Sequence, residues 1–242
     1  TVHRRFARSA RIDKDLYETG SFKGYVLQAG VAHALATMAR SQAETAQGAF
    51  TWTGPYGGGK SSAALLVASL INCHTENRKL ARQIVGKKLQ ALYDLAFSTS
   101  EGPWSVIAVT GSRTGLREAI TDAAASALHW NQSTRRRAQQ SDDELLACLI
   151  RSATEERGGI VLILDELGEM LEYQAASGGD IHLLLDLAEC CARSKGRLVV
   201  IGILHQAFEH YAARISRDGR QEWAKVQGRF QDIPFLAGAD EA

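Results

Sequence analysis

The chain has 242 residues, of which 45% are hydrophobic and 23% charged. This balance is typical of a soluble globular protein with one full-sized core, and it argues against disorder. Lys and Arg (28) nearly balance Asp and Glu (27), so the net charge of +1 excludes an overall field that attracts nucleic acid or membrane. No apolar stretch approaches the roughly 20 residues of a membrane span. The four cysteines lack zinc-site or disulfide spacing, so we predict a cytoplasmic protein with reduced thiols and no membrane partner.

The N-terminal part of the sequence separates into a basic segment and the start of a core. Residues 1–24 open with a cluster of His and Arg and are predicted to be a basic N-terminal segment, followed by one core domain over residues 25–242. Helix-like spacing of apolar residues predicts a helix over Tyr25–Gln47. The aromatic and β-branched run Ala49–Thr53 predicts a strand, and the apolar run Lys60–Asn72 predicts a helix. A glycine-rich loop therefore joins a strand to a helix.

Strands and helices continue to alternate through the rest of the core. Further strands are predicted at Trp104–Thr110, Gly159–Glu166 and Arg197–Leu204, because each is an apolar run of strand length. Helices are predicted at Thr75–Phe97, Leu116–Trp130, Asp142–Ser152, Asp180–Lys195 and in a segment that ends near Ile215, whereas the polar residues 131–140 are expected to form a loop. This alternation is typical of a mainly parallel, doubly wound α/β sheet.

The glycine-rich loop matches the pattern G-x-x-x-x-G-K-[ST] in full. In such a loop, backbone N–H groups surround an anion at the positive end of the following helix dipole. Lys60 would reach the β- and γ-phosphates of a nucleoside triphosphate, and the Ser61 hydroxyl would ligate Mg²⁺. A glycine-rich turn without a ligand is the alternative. The predicted nucleotide-binding residues are Gly54, Pro55, Tyr56, Gly57, Gly58, Gly59, Lys60, Ser61 and Ser62.

Two adjacent carboxylates end the apolar strand at residues 159–166. Asp165 suits a role in holding Mg²⁺, and Glu166, which faces the other way, suits the polarisation of the water that attacks the γ-phosphate. The alternative is that both acids, with Glu169, favour the dipole of a following helix. That alternative explains the acids but not the buried strand before them. No guanine-reading motif follows a strand, so ATP is predicted rather than GTP.

Together, these motifs resemble the additional-strand P-loop ATPases, in particular the AAA+ and STAND group. The resemblance implies a three-layer α/β P-loop fold with a mainly parallel central sheet. In it, the strand that carries Asp165 is two places from the phosphate-loop strand, with Arg197–Leu204 between them. The end of that intervening strand would contact the γ-phosphate or the attacking water. His205 or Gln206 would act there, where the family usually has Asn, Thr or Ser.

A second part of the resemblance lies near the end of the chain. Residues 227–235, QGRFQDIPF, are similar to the stretch that precedes and enters the fifth strand in many AAA+ proteins. In those proteins an arginine projects into the nucleotide of a neighbouring subunit. Arg229 is the candidate for this role, which implies a homo-oligomer or a partner subunit that supplies an arginine in trans. Arg214, Arg217 and Arg220 are substitutes, and a solvated basic helix face is the alternative.

The resemblance also bears on the protein as a whole. An AAA+ protein carries a helical lid after the fifth strand, so we expect an AAA+-like core that lacks its C-terminal lid and is a fragment of a longer chain. The phosphate loop and residues 164–173, LDELGEMLEY, also look like large bacterial ATP-binding proteins of anti-phage or restriction-type systems. The expected cofactors are ATP and Mg²⁺, and the expected activity is ATP hydrolysis that drives conformational change or assembly.

Two other functions stay open at this point. The chain could be a switch or scaffold that binds nucleotide and hardly hydrolyses it. It could also be a nucleic-acid-stimulated motor, to which Arg135, Arg136 and Arg137 would contribute phosphate contacts.

Overall fold

The computed structural model describes residues 11–16, 18, 21, 24–72, 75–111, 115–155, 158–176, 182–206, 211, 221 and 224–235. The strands of this part of the chain are β1 (Ala49–Thr53), β2 (Trp104–Thr110), β3 (Gly159–Asp165), β4 (Leu198–Leu204) and β5 (Gln231–Pro234). They form one sheet in the order β2-β3-β4-β1-β5, and every adjacent pair is parallel. The predicted mainly parallel sheet is confirmed, and β4 lies between β1 and β3.

The described helices cover both faces of this sheet. They are α1 (Ile12–Asp15), α2 (Ala29–Thr45), α3 (Lys60–Ile71), α4 (Thr75–Ala96), α5 (Leu116–Ala127), α6 (Gln132–Ala138), α7 (Asp142–Glu155), α8 (Leu167–Ala176) and α9 (His182–Arg193). Buried residues of α1 to α4 share one core with one face of the sheet, and those of α5 to α9 share a second core with the other face. The fold is therefore the three-layer α/β architecture that the sequence predicts.

Strand β3 shows why its sequence is an unbroken apolar run. All of its residues are buried. Ile160, Leu162 and Leu164 enter the core of α5 to α9, whereas Val161 and Ile163 enter the core of α1 to α4. Because alternate side chains of a strand point to opposite faces, a strand covered on both sides must be apolar at every position. The first polar position, Asp165, therefore marks where the strand leaves the core.

The prediction of a polar loop over residues 131–140 is wrong, because residues 132–138 form helix α6. The side chain of Asn131 caps this helix by accepting a hydrogen bond of 2.9 Å from the backbone N–H of Thr134. Arg135 then pairs with Asp122 of α5 at 2.8 Å, and Arg137 pairs with Glu144 of α7. The cap and the neighbouring helices order a segment whose polar composition suggests a loop.

Helix α4 bends sharply inside the range predicted as one helix. Gly86 has φ 70° and ψ 169°, which lie outside helical space and in a region that glycine adopts easily. The bend brings Arg82 and Asp94 together in a bidentate ion pair with N–O distances of 2.7 and 2.8 Å. In a straight helix these residues would be about 18 Å apart along the axis. The second half of α4, from Lys87, is therefore a separate helical segment that packs against α2.

Part of the basic N-terminal segment packs on the core. Ile12 and Leu16 are buried in the core of α1 to α4. The buried amide of Asn77 donates hydrogen bonds to the backbone carbonyls of Leu16 at 3.5 Å and Glu18 at 3.1 Å. The boundary between residues 1–24 and the core stays a prediction.

Several predicted boundaries shift when packing is taken into account. Helix α2 begins at Ala29 rather than at Tyr25, and α5 ends at Ala127 rather than at Trp130. The helix predicted to end near Ile215 falls largely on residues 207–210 and 212–215, outside the described residues, as does the start of the helix predicted from Asp180. Within the described part of the chain, no helix combines the length and the apolar character that crossing a membrane requires.

Candidate nucleotide-binding site

The phosphate loop lies between the end of β1 and the first residue of α3. At two positions of the loop the structure requires glycine, one because of its backbone conformation and the other because a side chain would clash. Gly59 caps α3 in the left-handed region, with φ 76° and ψ 7°. At Gly54 an added Cβ would clash with the carbonyl oxygen of Phe235, which follows β5. Gly57 and Gly58 complete the turn, in which the Gly58 N–H donates to the Pro55 carbonyl at 3.2 Å.

Lys60 is held under this loop and has only 4% of its surface exposed. Its Nζ donates to the carbonyl oxygens of Gly54 at 2.6 Å and Pro55 at 2.8 Å. Burial lowers the pKa of Lys60, while the Asp165 carboxylate acts in the opposite direction. The structure therefore places a cation at the start of α3, where the helix dipole also favours an anion.

Ser61 and Asp165 meet across the gap between α3 and the end of β3. The Ser61 hydroxyl donates to Oδ1 of Asp165 at 3.1 Å. Asp165 is 2% exposed, and its pKa is raised from 3.8 to about 6, chiefly by burial. The Ser61 hydrogen bond and the Lys60 cation limit this rise, whereas Glu166 adds to it. Ser62, one residue further along α3, is half-buried.

The Ser61 and Asp165 pair fits the predicted magnesium site in chemical terms. A carboxylate and a hydroxyl are hard oxygen ligands, and Mg²⁺ is commonly held by one or two protein oxygens together with phosphates and waters. The described residues contain no group of three or more His, Cys, Asp or Glu side chains arranged to hold a metal by themselves. Ser61 and Asp165 would be ligands of Mg²⁺ at this place beside phosphate and water oxygens.

Glu166 sits at a sharp change of direction between β3 and α8. Its φ of 55° is left-handed, and α8 begins at the next residue, Leu167. Asp165 and Glu166 end a buried strand and also precede a helix. The structure is therefore compatible with both interpretations of the acids, a role in catalysis and a favourable interaction with the helix dipole. Burial, and then Glu169, raise the pKa of Glu166, and the Arg11 cation opposes the rise. The side chain is half-buried at the same edge of the sheet as Asp165.

Gly111, just after β2, packs closely against Glu166. The sequence analysis did not identify this residue. Its N–H donates to the backbone carbonyl of Asp165 at 2.8 Å. A Cβ at this position would lie 2.8 Å from both Cβ and the carbonyl oxygen of Glu166. The only signal in the sequence is a glycine directly after a strand, which is too common to indicate such a contact.

His205, directly after β4, lies beside the phosphate loop, as the resemblance implies. Its ring stacks on Tyr56, with centroids 3.5 Å apart and an interplanar angle of 18°. Burial, followed by the Lys60 cation, lowers the pKa of His205 to about 4. Both ring nitrogens are buried without a hydrogen-bond partner among the described residues. A neutral imidazole with unused hydrogen-bonding capacity therefore lies near the Lys60 ammonium.

Gln206, the other candidate for this position, is exposed. Tyr211 lies close to the segment that carries both residues: burial raises its pKa, and the backbone of His205 and Gln206 acts in the opposite direction. The Tyr211 hydroxyl would clash with a Cβ added to Gly168 in α8. The end of β4 is thereby tied to the helix that follows the acidic pair. Burial and position favour His205 as the residue closer to the loop.

Arg229 lies away from the phosphate loop of its own chain. It precedes β5, at the amino edge of the sheet, whereas the phosphate loop follows the carboxyl end of β1. The guanidinium is 56% exposed and lies 3.3 Å from Glu189 of α9. An arginine at this place is accessible to another subunit. Its substitutes Arg214, Arg217 and Arg220 lie outside the described residues.

Strand β5, which follows Arg229, is attached to β1 by more than backbone hydrogen bonds. The carboxylate of Asp232 accepts hydrogen bonds from the hydroxyls of Thr51 at 2.9 Å and Thr53 at 3.0 Å. Both threonines belong to the strand that enters the phosphate loop. This contact fixes the position of β5 relative to β1.

The comparisons with known proteins concern the fold. No protein-family model matches the chain, and no curated protein matches it. The structure is similar to that of the Aeropyrum pernix ORC2 protein, solved in ADPNP–ADP complexes, with a TM-score of 0.53 and 16% identity. The match covers 94% of this chain and 52% of the other, so the chain spans about half the length of that protein. The chain has a P-loop AAA+ fold. This result agrees with the sheet order, in which β4 separates β1 from β3.

The structure brings together Lys60, Ser61, Asp165, Glu166 and His205 at one edge of the sheet, as the motifs predict, and leaves Arg229 at the opposite edge. Under the alternative of a nucleic-acid motor, Arg135, Arg136 and Arg137 would contact phosphates, but Arg135 and Arg137 form ion pairs with acids of α5 and α7. Arg136 is exposed on the same helix.

Proposed function

We propose that the chain is an ATPase module that binds ATP with Mg²⁺ and hydrolyses it to ADP and phosphate. The observation that carries the proposal is the hydrogen bond between Ser61 and Asp165 beside the buried Lys60. It joins the phosphate loop to a carboxylate more than a hundred residues away, at the place where a P-loop ATPase needs a metal ligand. A glycine-rich turn without a ligand would not require this pair.

Each residue has a distinct role in the proposed reaction. Backbone N–H groups of residues 57–61 and the Lys60 ammonium hold the β- and γ-phosphates. Glu166 accepts a hydrogen bond from a water and orients it for attack on the γ-phosphorus, so that the bond to the β–γ bridging oxygen breaks and ADP leaves. Ser61 and Asp165 would hold Mg²⁺, which neutralises charge on the phosphate oxygens when bound. His205 donates one hydrogen bond to the γ-phosphate or to the water.

Arg229 completes the proposal at the level of assembly. An arginine supplied by a second subunit stabilises the charge of the transition state and raises the rate by about 10³ to 10⁵. The exposed position of Arg229 at the opposite edge of the sheet suits this role better than a role within its own chain. Turnover would then depend on a homo-oligomer or on a partner subunit. A place in a bacterial defence system, suggested by residues 164–173, stays a hypothesis.

Two variants test the proposal. Lys60→Ala should weaken ATP binding, because it removes the cation under the loop. Glu166→Gln should keep ATP binding and slow phosphate release by two to four orders of magnitude, as expected when a water-orienting group is lost. Calorimetry measures binding, and single-turnover phosphate release measures hydrolysis. ATP binding that is unchanged in Lys60→Ala would refute the site. Wild-type turnover in Glu166→Gln would remove Glu166 from the mechanism. No turnover in the assembled wild type would refute hydrolysis and leave a nucleotide-dependent switch.

A further inference from the structure

A groove runs along one face of α2, on the side of the molecule that carries α4. Its first part is a cavity of about 650 Å³ between α2 and the second half of α4. The lining residues are Ala32, Ala36, Arg40, Val85, Lys88, Leu89, Ala91, Leu92 and Leu95. The floor is apolar, and Arg40 and Lys88 are exposed cations at its rim. None of these residues takes part in the proposed ATPase site.

The groove continues past the end of α4 into a second cavity of about 280 Å³, which shares Leu95 with the first. Its walls include Ala43 of α2, Ala46, which directly follows α2, and Lys195 before β4. Positions 32, 36, 40 and 43 follow helical spacing and therefore lie on one face of α2. Over these residues α2 rises about 17 Å, the length of a helix of about 11 residues. Small side chains along this face allow another backbone to approach closely.

The charges of the groove favour an acidic occupant. Arg40, Lys88 and Lys195 form no ion pair with a carboxylate among the residues that the structure describes. Two carboxylates beside the groove are already neutralised, Asp94 by Arg82 and Glu101 by Arg197. The basic N-terminal segment has the same sign of charge as these cations, so it is a poor occupant. Leu95 is 68% exposed and is available as an apolar contact at the point where the cavities meet.

We propose that this groove of α2 and α4 is a docking site for an acidic amphipathic helix of a partner protein. An amphipathic helix in a groove buries apolar residues at positions i, i+3 or i+4 and i+7. Here those residues would contact Leu92 and Leu95, and flanking carboxylates would pair with Arg40 and Lys88. An extended shape, an apolar floor and cations on the rim match a helix better than a compact small molecule. The proposal does not depend on ATP hydrolysis.

Two labelled helical peptides of 16 residues provide the probes. Both carry leucines at positions i, i+4, i+7 and i+11; the first has glutamates at the flanking positions, and the second has lysines there. Fluorescence anisotropy should show saturable binding of the glutamate peptide, with a Kd in the micromolar range, about 1 to 100 μM. The lysine peptide should bind at least about tenfold more weakly. Equal affinities for the two peptides, or no binding of the first, would overturn the proposal.

Variants of the protein identify the surface. The double variant Arg40→Glu and Lys88→Glu should lose the glutamate peptide and prefer the lysine peptide. Leu95→Asp should weaken both, and since Leu95 is exposed, its substitution should leave the fold intact. Lys87→Glu is the matched control, because Lys87 is an exposed lysine on the same helix outside the groove lining. Binding that survives the double variant would place the peptide elsewhere and defeat the proposal.

Two further measurements exclude other occupants. Light scattering tests a second copy of this chain, and self-association abolished by Leu95→Asp would replace the partner helix by a self-interface and refute the proposal. Titration with a medium-chain fatty acid tests a small amphiphile, and tight binding that displaces the glutamate peptide would also refute it. ATP binding, measured in every variant, should stay at the wild-type value. If the wild type does not bind ATP, this result would count against the proposed ATPase function but would leave the proposed docking groove unaffected.

Discussion

The hydroxyl of Ser61 donates a hydrogen bond of 3.1 Å to Oδ1 of Asp165, although the two residues are 104 positions apart in the sequence. Ser61 lies in the first turn of the helix after the phosphate loop, and Asp165 ends β3, which is two places from β1 in the sheet. The contact therefore depends on the order of the strands as well as on the two motifs.

This pair leads to a prediction about magnesium. Ser61→Ala should reduce the gain in ATP affinity that Mg²⁺ provides by about 10- to 100-fold, because it removes one of two oxygens suited to the metal. Affinity for ATP in the presence of EDTA should change little. Calorimetry with and without Mg²⁺ measures both quantities. Ser62→Ala is the control, since the Ser62 hydroxyl forms no hydrogen bond among the described residues. Equal effects of the two substitutions would contradict the assignment.

Asp165 leads to a prediction about stability and pH. Its carboxyl has a raised pKa of about 6 in the folded protein, against an ordinary value of 3.8, chiefly because of burial. The folded state therefore binds the proton more tightly, and stability falls as the pH rises through the window from about 4 to 6. Asp165→Asn removes this effect. At pH 7 it should raise the free energy of unfolding by about 1 to 3 kcal/mol, while Mg²⁺-dependent ATP binding is lost.

Urea unfolding of the wild type and Asp165→Asn at pH 7 and pH 4 checks this prediction. The stabilisation should shrink at pH 4, where the wild-type carboxyl is protonated in the folded state. A variant that is less stable than the wild type at pH 7 would show that the favourable interactions of the Asp165 carboxylate with Ser61 and Lys60 outweigh the cost of its burial.

Gly111 leads to a prediction about catalysis. Gly111→Ala places a Cβ 2.8 Å from Cβ of Glu166, so the backbone of Glu166 must move. We expect kcat to fall about 10- to 100-fold, because a water-orienting carboxylate tolerates little displacement. ATP affinity should change much less, since the phosphate loop is not touched. Phosphate release and ATP binding distinguish the two effects.

Gly115→Ala is the matched control for this substitution. Gly115 has an ordinary φ of −60°, and an added Cβ there meets no atom within 4 Å. Turnover should remain close to that of the wild type. A similar loss of kcat in both alanine variants would indicate a general effect on the segment after β2.

Arg229 leads to a prediction about assembly. Arg229→Ala should lower turnover in the assembled protein by about 10³-fold or more, with ATP binding retained. Arg193→Ala is the control, because Arg193 also lies near Glu189, at 3.9 Å, and its loss affects the same carboxylate. Mixing Arg229→Ala subunits with Lys60→Ala subunits should restore part of the activity, since each supplies what the other lacks. Unrestored activity in the mixture would contradict an arginine supplied in trans.

Local sequence patterns were sufficient to predict the elements that are determined by a short run of consecutive residues. The strand at 159–165, the glycine loop and the helix at Lys60 follow from short runs, because burial on both faces and anion binding each require a defined local sequence. The position of β4 between β1 and β3 followed from the AAA+ resemblance. Its confirmation places His205 beside the phosphate loop.

Features that depend on tertiary contacts could not be predicted in the same way. Helix α6 is polar, and it is ordered by the Asn131 cap and by ion pairs to α5 and α7. The bend at Gly86 becomes visible only when Arg82 is seen to pair with Asp94. The contact of Gly111 with Glu166 likewise joins two loops whose distance in space no local pattern encodes.

The link from Asp232 to Thr51 and Thr53 has a mechanical consequence. It joins β1, which enters the phosphate loop, to β5, which follows Arg229. The phosphate loop and Arg229 should therefore move together as one rigid unit. If Arg229 serves a neighbouring subunit, a displacement caused by nucleotide at one interface would be transmitted along β1 and β5 to the next interface. In a ring or filament of such subunits, the sites would then hydrolyse ATP one after another, and no additional domain would be needed to transmit the signal between subunits.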